Sequence, residues 1–172
     1  GRLYACPELA FVQMCNDCEN IHEAIMVGNC LCQNRGLDTA PLTTVAKLRA
    51  YVEQLGMVRG KTRALDALTY MKDNYRSAME VDGHMALALP HHLGGYGLSE
   101  FSEINMMFGI SQEDAEYLGQ MMTHLSPDYC DPNRKITGEY QGKEYHNTLE
   151  AKKHDLKRKK TFEKYGFRVF FI

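Results

Sequence analysis

The first seventy-five residues carry apolar side chains at the spacing of amphipathic helices. The third predicted helix shows this spacing best, at Val45, Leu48, Tyr51, Val52 and Leu55. Pro7 suits the first position of a helix, and Thr43 or Thr44 can cap the third helix. We therefore predict four helices that together form a helical unit over residues 1–75.

Beyond residue 75 the pattern changes to short apolar runs separated by polar turns. A helix opens at Ser77 and ends before Pro90, and a longer helix is predicted over 148–165. The predicted strands lie at 104–110, 121–125, 136–140 and 167–172. The resulting order, α-β-β-β-α-β, favours an α+β class, in which residues 76–172 form a mixed sheet flanked by helices.

The helix predicted over 148–165 is rich in lysine and poor in apolar side chains. We expect Leu149, Leu156 and Phe162 to form its buried seam and the cations to cover the rest of its surface. A charged surface of this kind is usually only solvated, but it can also attract phosphates. The helix is therefore the main candidate for contact with nucleic acid.

The bulk properties of the chain set limits on its partners. Its 172 residues have a formal net charge of −2, so any contact with nucleic acid must come from a local basic patch. No apolar run is long enough to span a membrane, and no membrane partner is expected. The chain begins at Gly1 without a Met, as a fragment or a trimmed chain does.

Six cysteines allow two interpretations. Cys15 and Cys18 form a Cys-x-x-Cys pair, and with Cys30 and Cys32 they could supply four zinc ligands. The run between the two pairs looks like a short amphipathic helix, and a Cys-x-Cys pair suits a zinc knuckle less well. Buried, reduced thiols on the helices of a cytoplasmic protein are the favoured interpretation.

Two carboxylates and an amide lie on consecutive strand-like runs near the C-terminus. Asp128 follows Pro127 at the end of one run, whereas Glu139 and Gln141 share one face of the next. In a hairpin the three side chains would point to one place, where oxygen ligands hold a divalent cation beside a phosphate. Alternatively, Asp128 is a turn residue and Glu139 faces solvent. Asp131 is expected to be the turn residue, although it could compete as a ligand.

Four short motifs follow one another in residues 77–172. They are a Ser-x-x-Glu helix, a Pro-Asp at a strand end, Glu-Tyr-Gln-Gly followed by a His, and Asp-x-x-Arg before a Gly and a strand. The residues of these motifs are Ser77, Glu80, Pro127, Asp128, Glu139, Gln141, His146, Asp155, Arg158 and Gly166. In this order they resemble the PD-(D/E)XK nuclease superfamily, in the branch related to very-short-patch repair endonucleases. The helices of residues 1–75 more loosely resemble those of uncharacterised bacterial abortive-infection-type proteins.

The resemblance implies a restriction-endonuclease-like domain that cleaves phosphodiester bonds, in DNA, with Mg²⁺ or Mn²⁺ as cofactor. Asp128 and Glu139 would bind the metal, Glu80 would assist, and Gln141 would position the attacking water. For Glu80 the competing interpretation is a capping box with Ser77. The superfamily usually has Lys, and this branch often Asp, at the position of Gln141, which predicts a lower rate.

The implied contacts to nucleic acid come from the basic helix and the residue before it. They are His146, Lys152, Lys153, Lys157, Arg158 and Lys159. Asp155 and Arg158 are three residues apart and could instead pair with each other. The implied setting is bacterial defence or repair, with DNA as partner and a homodimer for double-strand cuts. The alternative is a nuclease-fold module of weak or absent activity that binds nucleic acid or a partner protein, as an antitoxin does.

Overall fold

The computed structural model describes residues 4–34, 40–141 and 148–172, which form a mixed α+β protein with seven α-helices and a small mixed sheet. The chain divides into two compact units, Gly1–Gly97 and Leu98–Ile172. The sequence pattern predicts a domain boundary between residues 75 and 76, whereas the structure divides the chain between Gly97 and Leu98. The difference arises because the helix at Ala78–Ala88 packs against the helix at Ile21–Cys32 and so joins the first unit. Of the helices described, none is long and apolar enough to cross a membrane.

Helices make up the described part of the first unit. They are α1 (Pro7–Asp17), α2 (Ile21–Cys32), α3 (Val45–Gln54), α4 (Lys61–Tyr70) and α5 (Ala78–Ala88), followed by a 3-10 turn at His91–Leu93. The four helices predicted for residues 1–75 are α1 to α4. Their apolar faces meet in one core, to which Phe11, Ile25, Leu48, Val52 and Leu68 contribute fully buried side chains.

Short-range hydrogen bonds define where these helices begin. The Asn20 side chain accepts from the Glu23 N–H at 3.0 Å, and the Thr44 hydroxyl accepts from the Lys47 N–H at 3.2 Å. Gly60 precedes α4 with a φ of 86°, and a Cβ there would lie 2.2 Å from the Val12 carbonyl oxygen. Only glycine fits this position without moving α1.

The described part of the second unit contains six short strands and two helices. In chain order they are β1 (Glu103–Ile104), β2 (Phe108–Gly109), α6 (Gln112–Leu118), β3 (His124–Leu125), β4 (Tyr129–Asp131), β5 (Ile136–Glu139), α7 (Leu149–Lys164) and β6 (Arg168–Phe171). The main sheet has the order β1-β4-β5-β6, with β5 and β6 parallel and the other pairs antiparallel. A separate antiparallel pair joins β2 to β3.

The prediction of one continuous strand over 104–110 is wrong. Asn105 has a φ of 50°, in the left-handed region, and its N–H donates to the Asp128 carbonyl at 3.2 Å. This bend sends the two halves to different sheets, because Ile104 pairs with Tyr129 whereas Phe108 pairs with Leu125. The one predicted strand is therefore replaced by two short strands, β1 and β2, and α6 lies between β2 and β3.

The helix α7 crosses from β5 to the parallel strand β6, as the strand–helix–strand order predicted. The Thr148 hydroxyl accepts from the Ala151 N–H at 3.1 Å and so caps its start. Gly166, with a φ of 87°, follows its end and turns the chain into β6. The crossover places one face of α7 beside β5.

The predicted seam of α7 is only partly correct. Phe162 is fully buried in a cluster with Ile110, Leu118 and Leu125, but Leu149 and Leu156 are 77% and 51% exposed. At about 100° per residue, Phe162 lies roughly 120° from Leu156 and about 140° from Leu149 around the helix, whereas the two leucines lie within about 20° of each other. The two leucines therefore share a face that is turned away from the buried one.

Candidate active site

The register of β4 and β5 brings two candidate carboxylates together. Tyr129 pairs with Gly138, and one further step in the same register sets Asp128 opposite Glu139. Asp128 also accepts a hydrogen bond through Oδ2 from the Tyr140 N–H at 2.8 Å. Asp128 is therefore bound to the end of β5 and does not act only as a turn residue.

Asp131 has a different place in the same hairpin. Its Oδ1 accepts hydrogen bonds from the N–H groups of Asn133 and Arg134, at 3.0 and 3.1 Å. These bonds close the turn between β4 and β5, and the side chain is buried. The expectation that Asp131 is the turn residue is confirmed.

Glu139 forms an ion pair with Arg158 of α7. Both carboxylate oxygens lie 3.0 Å from the same nitrogen, Nη2, which also donates to the Ser126 carbonyl at 3.1 Å. The side chains of Glu139 and Arg158 are only 14% and 22% exposed. The alternative in which Glu139 faces solvent is therefore wrong, because α7 covers this face of the strand.

Gln141 faces the same helix from just beyond β5. Its Nε2 donates to Asp155 Oδ2 at 3.1 Å. An ionised carboxylate only accepts hydrogen bonds, so the amide nitrogen must point toward Asp155, which leaves Oε1 as the group it can offer to another partner. Its backbone continues the pairing with the last strand, because its N–H donates to the Ile172 carbonyl at 2.9 Å.

Asp155 and Arg158 are the members of the site whose contacts the sequence did not indicate. The i, i+3 spacing sets both on one face of α7, and their partners Gln141 and Glu139 lie two residues apart on one face of the strand. The expected alternative was a bond between Asp155 and Arg158. The available signal was their shared helical face, but it does not reveal which strand packs against it.

The electrostatics of this cluster oppose ionisation of Glu139. Burial is the largest cause that raises the pKa of Glu139, to about 7; the neighbouring charges of Asp128 and Asp155 also raise it, whereas Arg158 acts in the opposite direction. Among the described residues, three carboxylates thus share a half-buried space with the guanidinium of Arg158. Sites that bind cations or transfer protons often concentrate like charges in this way.

The donor set can be compared with the needs of a divalent cation. Over the described residues, no three or more His, Cys, Asp and Glu side chains come together as a metal-binding group. Mg²⁺ is usually held by only one or two carboxylates together with water and substrate phosphate. Asp128 and Glu139, with the amide oxygen of Gln141 nearby, are oxygen donors that fit this requirement.

Glu80 belongs to the first unit, where it takes part in the start of α5. The Glu80 N–H donates to the Ser77 hydroxyl at 3.2 Å, and its carboxylate accepts from the Arg76 N–H at 3.0 Å and from the Ser77 hydroxyl at 3.2 Å. The side chain is buried. The capping interpretation is confirmed, and a role for Glu80 near a metal stays a prediction.

The cations predicted to contact nucleic acid differ in their surroundings. Lys152 and Lys153 are exposed on α7. Lys157 donates to the Tyr117 carbonyl at 2.8 Å, and Lys159 lies 3.8 Å from Glu163. Arg158 is turned inward to Glu139, and His146 lies outside the described residues. Among the described residues, Lys152 and Lys153 are therefore the exposed members of the predicted patch.

The cysteines do not support a zinc site. All four proposed ligands lie in the part of the chain that the structure describes, where no metal-binding group is found. Cys15 and Cys32 are buried, whereas Cys30 is exposed. Burial raises the pKa of both Cys15 and Cys32 to about 12, which disfavours the thiolate form that zinc requires.

Comparison with protein-family models, with curated proteins and with solved structures returns no match. Any assignment of function therefore depends on the chemistry of the site itself.

Proposed function

We propose that the second unit is a restriction-endonuclease-like module that hydrolyses phosphodiester bonds, in DNA, with Mg²⁺ or Mn²⁺. The observation that carries the proposal is the convergence of Asp128, Glu139 and Gln141 beside α7. Two carboxylates and an amide oxygen in a half-buried space suit a cation that also contacts a phosphate. A simple structural ion pair does not need two further carboxylates next to Glu139.

The residues of the site have separate roles in this proposal. Asp128 and Glu139 hold the cation, which when bound supplies an activated water and neutralises charge on the phosphate. Gln141 accepts a hydrogen bond from the attacking water through Oε1, because its nitrogen is bound to Asp155. Lys152 and Lys153 attract the nucleic-acid backbone. His146, outside the described residues, keeps its predicted phosphate contact, whereas the assisting role of Glu80 stays only a sequence prediction, because Glu80 belongs to the first unit.

The test is cleavage of supercoiled plasmid and of labelled single strands with Mg²⁺ or Mn²⁺. Wild type should cut, and Asp128→Asn and Glu139→Ala should not. Glu163→Ala is a matched control, because Glu163 is an exposed acid on α7 whose only ion pair among the described residues is with Lys159. Cleavage that persists in Asp128→Asn and Glu139→Ala would remove both residues from the site.

A second candidate function is binding without efficient cleavage. It is favoured by Gln141, whose amide cannot neutralise charge as the usual Lys does and whose nitrogen is already bound to Asp155. In that case wild type binds nucleic acid in a salt-dependent way but does not cut it, and the double variant Lys152→Gln/Lys153→Gln flattens the salt dependence. Binding that is independent of salt would favour a partner protein instead.

A further inference from the structure

We propose that Arg158 is the counter-ion of the site in the absence of a divalent cation, and that a cation binding at Glu139 displaces it. The inference rests on the proposed function. In addition, Arg158 and the metal ion compete for Glu139. The position of Arg158 therefore differs between the metal-free and the metal-bound site.

Arg158 already contacts the carboxylate oxygens of Glu139 to which a cation would bind. One nitrogen of Arg158, Nη2, lies 3.0 Å from both oxygens of Glu139. A cation that binds between the two carboxylate oxygens would take the position of Nη2, and a cation on either oxygen would repel the positive guanidinium nearby. Binding of a cation at Glu139 should therefore weaken or break the pair.

Glu139 also lies near other negatively charged side chains. Asp128 and Asp155 both lie close enough to Glu139 to disfavour its ionised form. Among the described residues, Arg158 is the cation that lies against Glu139, and loss of its charge would leave Glu139 beside these two carboxylates, which is costly in a site of low solvent access. Arg158 therefore offsets the negative charge of Glu139 before a divalent cation binds.

Arg158 can form other contacts when it leaves Glu139. Its guanidinium carries five N–H donors. Among the described residues, its hydrogen bonds are made by Nη2 alone, which leaves Nη1 and Nε as further donors. The group also lies 5.4 Å from the centre of the fully buried Phe162 ring, a fixed surface along which it can shift. The free donors match the oxygens of a phosphate, to which arginine binds in bidentate fashion.

The test is the binding of Mn²⁺ to the full chain without nucleic acid, measured from the loss of the free-ion signal in electron paramagnetic resonance. Arg158→Gln should bind Mn²⁺ more tightly than wild type, by at least about fivefold, because the competitor is gone. Lys160→Gln is the matched control, since Lys160 is exposed on the same helix and the change in charge is the same. It should change the affinity by less than about twofold.

Equal gains in Arg158→Gln and Lys160→Gln would show a general effect of charge and overturn the inference. So would an affinity in Arg158→Gln that equals that of wild type, and in that case Glu139-dependent binding by wild type would leave the proposed function standing. Absence of Mn²⁺ binding in wild type and in every variant would overturn both.

A second measurement covers the case in which Arg158→Gln does not fold. In wild type labelled with ¹⁵N-arginine, titration with Mg²⁺ should shift the Arg158 Nε–H resonance, whereas that of Arg134, which bonds to Glu100 from the turn before β5, at the end of the hairpin opposite to Glu139, should stay in place. An Arg158 resonance that does not respond while Mg²⁺ binds would contradict displacement.

Discussion

Two carboxylates of the second unit each pair with a cation of α7, yet their environments are opposite. Asp114 accepts from Lys164 Nζ at 2.7 and 2.9 Å, and this bond, with help from Ser111 and Tyr165, lowers its pKa to about 2. Glu139 has Arg158 at 3.0 Å, but burial raises its pKa to about 7. The contact distances are similar, so distance alone does not separate the two pairs.

The difference lies in the other neighbours of each carboxylate. Asp114 is surrounded by donors, because its Oδ2 also accepts from the Ser111 hydroxyl at 2.7 Å, at the start of α6, and from the Tyr165 hydroxyl at 2.9 Å. Glu139 is surrounded by the like charges of Asp128 and Asp155. The first pair therefore has the surroundings of a structural ion pair, whereas the second retains a conflict of like charges that a bound cation would relieve.

The largest expected difference between the two pairs is in catalysis. If the proposed function is correct, Glu139→Ala should lower Mg²⁺-dependent cleavage by at least about 100-fold, because the proposal makes Glu139 a metal ligand. Asp114→Asn should leave the rate per folded molecule within about twofold, because Asp114 contacts only structural groups. Initial rates on plasmid, corrected for the folded fraction by circular dichroism, measure both. A comparable loss in Asp114→Asn would break the distinction.

The second expected effect is on stability. Arg158→Ala should lower the free energy of unfolding at pH 8 by roughly 2 kcal/mol, because it removes the ion-pair partner of Glu139 and leaves this carboxylate beside two like charges. At pH 5.5 the loss should be smaller, since Glu139 can then be protonated. Urea unfolding at the two pH values measures the difference. An equal loss at both would mean that Arg158 acts through packing on Phe162 instead.

The third effect is the pH dependence that Glu139 itself imposes in metal-free buffer. Its folded pKa of about 7 lies above the ordinary 4.5, so the folded state holds the extra proton between these values. Its contribution to stability is fully present below about pH 4.5 and is lost as pH rises through 7, by roughly 2–3 kcal/mol. Glu139→Gln should remove this component from urea unfolding curves. An unchanged profile in Glu139→Gln would assign the pH dependence to other groups.

Asp114 should show the opposite and smaller pH dependence. Its folded pKa of about 2 lies below the ordinary 3.8, so its contribution is present above about pH 4 and is lost as pH falls toward 2. Asp114→Asn should therefore be less stable than wild type at pH 6 and approach it near pH 2. Thermal unfolding across this range tests the sign, and a gap that widens on acidification would contradict it.

The smallest effect is expected for Leu156→Gln, which lies on α7 away from both pairs. Leu156 is 51% exposed, so the change in unfolding free energy should be below about 0.5 kcal/mol, with both pH profiles unchanged. Phe162→Ala, on the buried face, should instead cost about 3–5 kcal/mol. A large loss for Leu156→Gln would mean that this face of α7 is covered.

Much of the site could be predicted because strand geometry is local. The alternation of side chains sets Glu139 and Gln141 on one face of β5 whatever packs against it, and the polar turn at Asp131 sets the hairpin that brings Asp128 near. The partners Arg158 and Asp155 could not be assigned in the same way. Their contacts depend on how α7 docks on the strand, and several polar residues of that helix were equally available.

The sequence by itself determined the helices and their caps, the crossover from β5 through α7 to β6, and the shared face of Glu139 and Gln141, because periodicity and capping act over a few residues. Only the tertiary structure decided that Asn105 divides a predicted strand, that Leu149 and Leu156 lie outside the core, and that Arg158 neutralises Glu139. These outcomes depend on which surfaces meet and how much water they exclude, and a pattern along one chain does not encode either directly.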